Sequence, residues 1–352
     1  MITSMHIKNF KCFKDFRIEL GKFNVLIGPN DSGKTALLQA VQLACILGSR
    51  PGSSLVRDGI RGIDFHLGTA AVWRHQTTGV LSIIAEAKPE AEGFPDQAKL
   101  VLLSGEVAKS KPGRSFLSYV GSDLDSQLDP KRAKEWFADA IGPAAYYRFE
   151  PAALRKPSKL ADEMERNGLG LAAFLDHLNR LDSDAYKALG DRFRERFPHY
   201  QAPAIEVIGK KPDKRLTVAF PTARSESLTL SAESVSDGVM MSLAFLTLAF
   251  QPSPAKLLLI EEPENSVHHA SLKDIIGTLK HLNDEKSVQV ILTTHSPYLL
   301  DFVEMDEVRV FTKDDEGAVH AQKLSDLDGA DEISDMFATG EKWSMLSEEH
   351  GI

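Results

Sequence analysis

The chain has 352 residues, 43% of them apolar and 26% charged, enough for one large core or two ordinary ones and unlike a disordered or fibrous protein. Its formal charge of −9 gives no global attraction to nucleic acid or anionic membrane, so any such contact needs a local patch. Two cysteines, Cys12 and Cys45, make neither a disulfide framework nor a Cys-rich zinc site, which points to a reducing compartment and makes the cytoplasm the expected location.

The opening stretch, MITSMHIKNFKCFKDF, interrupts its apolar residues with basic ones and predicts no secretion signal. Alternation at Met5 and Ile7, then at Phe16, Ile18 and Leu20, predicts two half-exposed strands, and residues 23–27, apolar but for Asn24, read as a buried third. A glycine-containing turn leads into a predicted helix over 34–47 with an apolar face at Leu37, Leu38, Val41 and Ala44. From 63 to 120 the pattern is strand-like, strongest at 70–73, 80–85 and 99–103. Helical periodicity covers 131–140, 168–181 and 183–197, with a strand at 146–149 between the first two.

Strands at 204–208, 215–220 and 227–230 precede an apolar helix over 236–250, whose longest apolar run is too short to span a bilayer, so no membrane partner is expected. The chain then alternates: strand 257–260, helix 267–282, strand 288–293, helix 297–303, strand 307–311. Such alternation predicts parallel pairing with right-handed crossovers. The expected fold class is α/β, a mixed central sheet with an inserted, mostly helical lobe at 125–204 between two parts of one domain, 1–124 and 205–352.

Gly28-Pro29-Asn30-Asp31-Ser32-Gly33-Lys34-Thr35 fits the phosphate-loop pattern GxxxxGK[ST], between an apolar strand and a helix as its mechanism requires. Glycines let backbone N–H groups turn toward phosphate oxygens at the helix N-terminus, Lys34 supplies a cation to the β and γ phosphates, and Thr35 offers a hydroxyl to Mg²⁺. Residues 257–264, LLLIEEPE, carry four apolar residues into adjacent acids, expected at the C-terminal end of a buried strand. In a nucleotide site Glu261 would hold Mg²⁺ through water and Glu262 would orient or deprotonate the attacking water. Residues 290–297, VILTTHSP, repeat the design, placing His295 to sense a γ phosphate by hydrogen bonding. Ser236-Asp237-Gly238 opens a helix and serves equally as an anion site or an ordinary N-cap.

The ordered set IKNFKCF, GPNDSGKT, SVSDG, LLLIEEPENSVHH and ILTTHSPYLLD resembles ABC-type ATPases of the RecF, SMC and OLD (overcoming lysogenization defect) grouping, best the OLD-like AAA-family ATPases of bacteria and phage-defence systems. The likeness covers the first 50 residues and roughly the last 130. It implies the P-loop NTPase fold of an ABC ATPase head and two heads sandwiching two ATP molecules. It further implies that ATP is held by Lys11, Gly28, Asn30, Asp31, Ser32, Gly33, Lys34, Thr35 and Ala36 of one copy and capped by Ser236 and Gly238 of its partner. Metal is implied at Thr35 and Glu261, catalysis at Glu262, His295 and Lys34, and a dimer-crossing D-loop at 265–268.

Two positions depart from the commonest ABC pattern in ways typical of the OLD-like branch: Glu261 in place of Asp, and Asp237 in place of glycine. Gln76 is a Q-loop candidate only because it follows a predicted strand. His268 and His269 are adjacent on a helix start and point apart, which favours surface or dimer contact over metal.

The 200 residues between Thr35 and Ser236 contain twelve prolines, which excludes a long coiled-coil arm. About 40 residues follow the last predicted strand, too few for the Toprim nuclease domain of OLD nucleases. Asp326-Leu327-Asp328 therefore reads as a loop, and nuclease chemistry would come from a separate protein. Basic clusters at Lys109, Lys111 and Arg114, at Lys131, Arg132 and Lys134, at Arg155, Lys156 and Lys159, and at Lys210, Lys211, Lys214 and Arg215 suit either solvated loops or a DNA groove. Two functions are open: an ATP-hydrolysing dimeric switch acting on DNA or an effector in defence or repair, or a nucleotide-gated scaffold with little hydrolysis.

Overall fold

A computed structural model describes residues 1–49, 82–87, 98–104, 117–122, 142, 144–159, 162–208, 213–221, 227–252, 254–330, 333 and 337–352. The expected strand at 70–73, the helix at 131–140, Gln76 and the basic clusters at 109–114, 131–134 and 210–211 lie outside these residues.

In chain order the elements begin with β1 (Ile2–Phe10), β2 (Phe13–Glu19), β3 (Phe23–Ile27) and α1 (Lys34–Ser49). Next come β4 (Ser82–Ala87), β5 (Ala98–Ser104), β6 (Leu117–Ser122), β7 (Ala144–Tyr147), α2 (Pro151–Leu154), α3 (Leu171–Leu181) and α4 (Ser183–Arg196). They continue with β8 (Pro203–Ile208), β9 (Asp213–Pro221), β10 (Ser227–Ser231), α5 (Asp237–Ala249), β11 (Leu257–Glu261) and α6 (His269–Lys286). The last are β12 (Gln289–Thr293), α7 (Pro297–Leu300), β13 (Val308–Lys313), β14 (Val319–Lys323) and α8 (Thr339–His350).

The chain divides into two compact units, the first formed by 1–146, 255–259 and 288–352, the second by 147–254 and 260–287. α3 and α4 lie with β8–β10, α5 and α6 in the second unit.

The first unit holds two sheets. One is five-stranded, β2-β1-β4-β5-β6, antiparallel throughout. The other is mixed and six-stranded, β14-β13-β3-β12-β11-β7. Its centre is parallel, as the alternation predicts: β12 runs beside β3 with Val290 opposite Phe23 and Thr293 opposite Leu26, and β13 flanks the other side of β3. β3 and β12 are buried at every position, which is why both read as mainly apolar runs, broken by Asn24 in β3 and by Gln289 and Thr293 at the ends of β12, rather than as alternating ones. β14, which the sequence pattern did not reveal, pairs antiparallel with β13, and α8 was likewise not foreseen.

The core of this unit gathers Phe10, Phe13 and Phe16 with Leu37, Val41, Ile83, Ile291 and Phe311. The Phe13 and Phe16 rings stack at 4.3 Å, and Phe16 meets Phe311 at 5.7 Å. Two buried amides close the seams between strands. Gln289 donates to the carbonyls of Ile2 at 2.7 Å and Gly21 at 2.8 Å and accepts from the Ile2 N–H at 2.9 Å, while Asn24 bonds both backbone groups of Gly21. Each satisfies backbone groups that no ladder reaches.

In the second unit β9 lies between β10 and β8 in an antiparallel sheet, with α3 packed against β8 and β9 and α5 against α4 and α6. α5 is buried from Val239 to Phe245, consistent with its lack of a polar face. Asp182 caps α4 by accepting from the Ala185 N–H at 2.9 Å. Among the described residues no helix is long and apolar enough to cross a membrane.

Burial pushes the Cys12 thiol up to about 11 and the Cys45 thiol up to about 12, so both stay protonated at pH 8. A thiol reagent at pH 8 is therefore expected to titrate neither in the native protein and both after denaturation. Phe16→Ala, which empties the ring stack, is expected to cost about 3–5 kcal/mol in denaturant unfolding.

Candidate functional site

The phosphate loop joins β3 to α1. Gly28 has φ 147° and comes so close to the neighbouring strand that a Cβ would stand 2.3 Å from the Phe311 carbonyl oxygen. Gly33 has φ 101°, with Cys12 Sγ 2.9 Å and Phe13 Cε1 3.2 Å from where its Cβ would be. Both glycines are thus required twice over, by backbone conformation and by space. Asp31, at φ 63°, sits at the exposed tip and pairs with Lys313 at 2.7 Å.

Lys34 is buried. Its Nζ donates to the carbonyls of Gly28 and Pro29, each at 2.8 Å, and to Ser32 Oγ at 3.4 Å, so the ammonium is curled beneath the loop that precedes it. Phosphate oxygens are stronger partners for an ammonium than neutral carbonyls are. Thr35 is exposed in the first turn of α1 and Ala36 is buried beneath it. Asn30 is exposed in the loop. Lys11 has φ 50° and its ammonium hydrogen-bonds Gln39 Oε1.

The parallel register of β12 on β3 brings His295 to the same edge as this loop. The Thr294 N–H donates to the Leu26 carbonyl at 3.0 Å, and His295 follows as an exposed residue. Thr294 Oγ1 accepts from the Ser296 N–H at 3.0 Å and fixes the turn that carries the histidine.

The acids, the serine-led helix and residues 265–268 belong to the second unit. Glu261 ends β11 with its side chain only 2% exposed, and its oxygens face two guanidinium groups: Arg166 Nη2 at 2.8 Å from Oε1 and Arg148 Nη1 at 3.5 Å from Oε2. Glu262 is in the left-handed region at φ 46°, which turns its side chain out of the strand direction. Its Oε2 accepts from Asn265 Nδ2 at 2.7 Å and lies 3.4 Å from Arg148 Nη2. Asn265 also donates its N–H to the Glu262 carbonyl at 3.1 Å, so a tight turn links the second acid to the following segment.

Ser236 is the N-cap of α5, is exposed, and makes no side-chain capping bond, which leaves its hydroxyl outside the ordinary N-cap role. Gly238 lies beside the same segment as Glu262: a Cβ there would be 3.7 Å from the Ser266 carbonyl oxygen. Arg155 holds the approach to this helix. It pairs with Asp237 at 2.5 Å and donates to the carbonyls of Ala232 at 3.0 Å and Val235 at 2.6 Å. Its side chain is 16% exposed, as is that of Lys214, which pairs with Asp176 at 3.2 Å. Two members of the expected basic clusters are therefore internal partners. His268 caps α6 by accepting the Ala270 N–H at 3.2 Å.

Of the two residues expected to meet a metal, the first unit holds the Thr35 hydroxyl and the second the Glu261 carboxylate, oxygens of the kind that suit Mg²⁺ better than a softer metal. Among the described residues no group of three His, Cys, Asp or Glu side chains could hold a metal alone. That donor set fits a Mg²⁺ that arrives with phosphate oxygens rather than one resident in an all-protein cage.

Sequence reasoning did not foresee Arg148, Arg155 or Arg166. Arg148 lies within the strand expected at 146–149 and Arg155 in a basic cluster, but nothing local marked which acids they would meet.

Residues 23–72 and 115–301 match the AAA_21 family, whose description names an AAA domain, the AbiEii toxin and a type IV TA system, and residues 1–44 match the AAA ATPase domain family AAA_15. An OLD nuclease of Thermus scotoductus is 22% identical, aligned over 99% of this chain and 69% of its own length. In fold the chain is similar to an SMC head bound to the C-terminal winged-helix domain of ScpA, with a TM-score of 0.63, 16% identity and coverage of 94% of this chain and 99% of that one. It is also similar to an SMC head with an extended coiled coil bound to the C-terminal domain of ScpA from Pyrococcus furiosus, with a TM-score of 0.57, 13% identity and 99% coverage of both chains.

Gly28→Ala, which drives a Cβ into the Phe311 carbonyl, is expected to lower stability by about 1–3 kcal/mol and to deform the loop, read by denaturant unfolding. Arg155→Ala is expected to cost about 2 kcal/mol and to loosen the start of α5, read as faster amide exchange over 232–240. With the glycine cradle, the curled lysine, the acid pair at the end of an apolar strand and a family match over most of its length, the chain belongs to the AAA_21 family of AAA domains and is similar in fold to SMC heads.

Proposed function

We propose that the protein is an ATP-binding and ATP-hydrolysing switch that works as a homodimer, or a higher oligomer of dimers, in the cytoplasm. The observation that carries this reading is the shared edge of β3 and β12, which sets the phosphate loop and His295 side by side. Residues 28–36 and Lys11 hold the triphosphate, with Lys34 exchanging loop carbonyls for phosphate oxygens. Thr35 and Glu261 hold Mg²⁺, which would supply charge neutralisation between the phosphates. Glu262 orients or deprotonates the attacking water, and His295 senses the γ phosphate.

Ser236 and Gly238 of one copy cap the nucleotide of its partner. The exposed Ser236 hydroxyl, unused as a helix cap, supports that role. ATP then favours the paired state because only that state offers the extra contacts. The switch acts on DNA or on a separate effector such as a nuclease, in phage defence or DNA repair. The nuclease activity in the relative's name is a property of that protein.

A second reading, a nucleotide-gated scaffold with little turnover, draws support from the engagement of Glu262 by Arg148 and Asn265. Phosphate release separates the two. Under the switch reading Glu262→Gln loses turnover by about a hundredfold or more and accumulates as an ATP-bound dimer in size-exclusion chromatography with light scattering. A wild-type protein that binds ATP, dimerises and releases no phosphate selects the scaffold. Turnover unchanged in the variant removes Glu262 from its role. If DNA is the target, affinity falls steeply between low and moderate salt, and a flat response rejects it.

A further inference from the structure

Arg148 follows β7 and Arg166 lies in the loop before α3, 18 residues on. The backbone ties them together: the Arg148 N–H donates to the Arg166 carbonyl at 2.8 Å and the Glu150 N–H to the Asn167 carbonyl at 3.0 Å. The loop bearing Arg166 is itself fixed. Glu165 and Leu169 close it at 2.9 Å, and Gly168, at φ 89°, fits where a Cβ would lie 2.3 Å from Leu154 Cδ2.

The two arginines hold the acids differently. Arg166 makes the short contact, 2.8 Å to Glu261, and is 26% exposed. Arg148 is 51% exposed, and at 3.4–3.5 Å it straddles Glu261 and Glu262. A carboxylate as buried as Glu261 needs a compensating cation, and the shorter, more enclosed pair supplies most of that compensation. The longer, half-exposed contacts of Arg148 contribute little stability in water. They nonetheless place a positive charge on the oxygen of Glu261 opposite Arg166 and on the same oxygen of Glu262 that Asn265 holds.

We propose that Arg148 is an exchangeable internal counter-ion, a latch across Glu261 and Glu262, and that Arg166 is the permanent counter-ion of Glu261. Arg148 gives up Glu261 when a divalent cation accompanies the nucleotide, because two cations at one carboxylate oxygen repel. The same departure releases Glu262 from Arg148, so that metal loading and freeing of the water-activating acid become one event. Arg148 is a positioning residue in this scheme, and it sets how much Mg²⁺ the protein needs. The inference rests on the reading of Glu261 and Glu262 as the acids of a nucleotide site.

The test is equilibrium binding of a fluorescent ATP analogue to the full chain, titrated with Mg²⁺. Arg148→Ala is expected to lower the half-saturating Mg²⁺ about tenfold, as removal of a repelling charge next to the cation requires. Arg148→Gln, which keeps a polar side chain and loses the charge, guards against a folding failure and should shift the midpoint the same way. Arg166→Ala is expected to lower the melting temperature more than Arg148→Ala does. A midpoint in both Arg148 variants equal to or above that of the parent overturns the latch and leaves the ATPase reading standing. A parent chain that binds no analogue at any Mg²⁺ overturns the ATPase reading, and the latch with it.

Discussion

The parallel register between β3 and β12 is the constraint on which the rest of the first unit depends. With Val290 opposite Phe23 and Thr293 opposite Leu26, the two strands end at one level, and the turns that leave them must share an edge. A slip of one residue would exchange the two buried faces of a strand and draw the polar turn at its end toward the core. Gln289 and Asn24 lock the opposite end of the same pair by saturating backbone groups around Gly21 and Ile2. The site thus inherits its geometry from apolar burial at one end and buried amides at the other.

Against that frame the phosphate loop is a close-packed object rather than a flexible one. Phe311 beneath Gly28, and Cys12 and Phe13 beneath Gly33, leave no volume for side chains, so the cradle's shape is a consequence of core packing. Lys34 folded onto its own loop carbonyls adds a polar closure to the same loop. The high Cys12 pKa belongs to the same enclosure: the thiol lines the cradle as a small apolar group.

The second unit solves a charge problem. It buries Glu261 against two arginines and lets one of them, Arg148, meet Glu262 as well, while Arg155 and Asp237 make a similar pair at the head of α5. Removing Arg166 would take the short pair from an acid that is almost wholly excluded from water. Charged residues that look like a solvated or DNA-facing surface when read along the chain, such as Arg155 and Lys214, are spent inside the fold.

Sequence alone determined the strand–loop–helix of residues 23–49, the acid pair after an apolar strand, and the alternating elements beyond 236, because each is written in the local periodicity of side chains. Their boundaries shift by only a few residues in the structure: the strand expected at 146–149 is Ala144–Tyr147, and the helix expected at 267–282 is His269–Lys286. The helix expected over 297–303 shrinks to the single turn Pro297–Leu300. β14 and α8 escaped notice because their short or polar patterns resemble loops. What only the tertiary structure decided is which charges meet. Arg166 and Glu261 are 95 positions apart, and Arg148 and Glu262 are 114, so no window along the chain contains both partners. Periodicity tells a residue which side of its own element faces inward; the identity of the neighbour on that side comes from strand order, and strand order is settled only when the whole core closes.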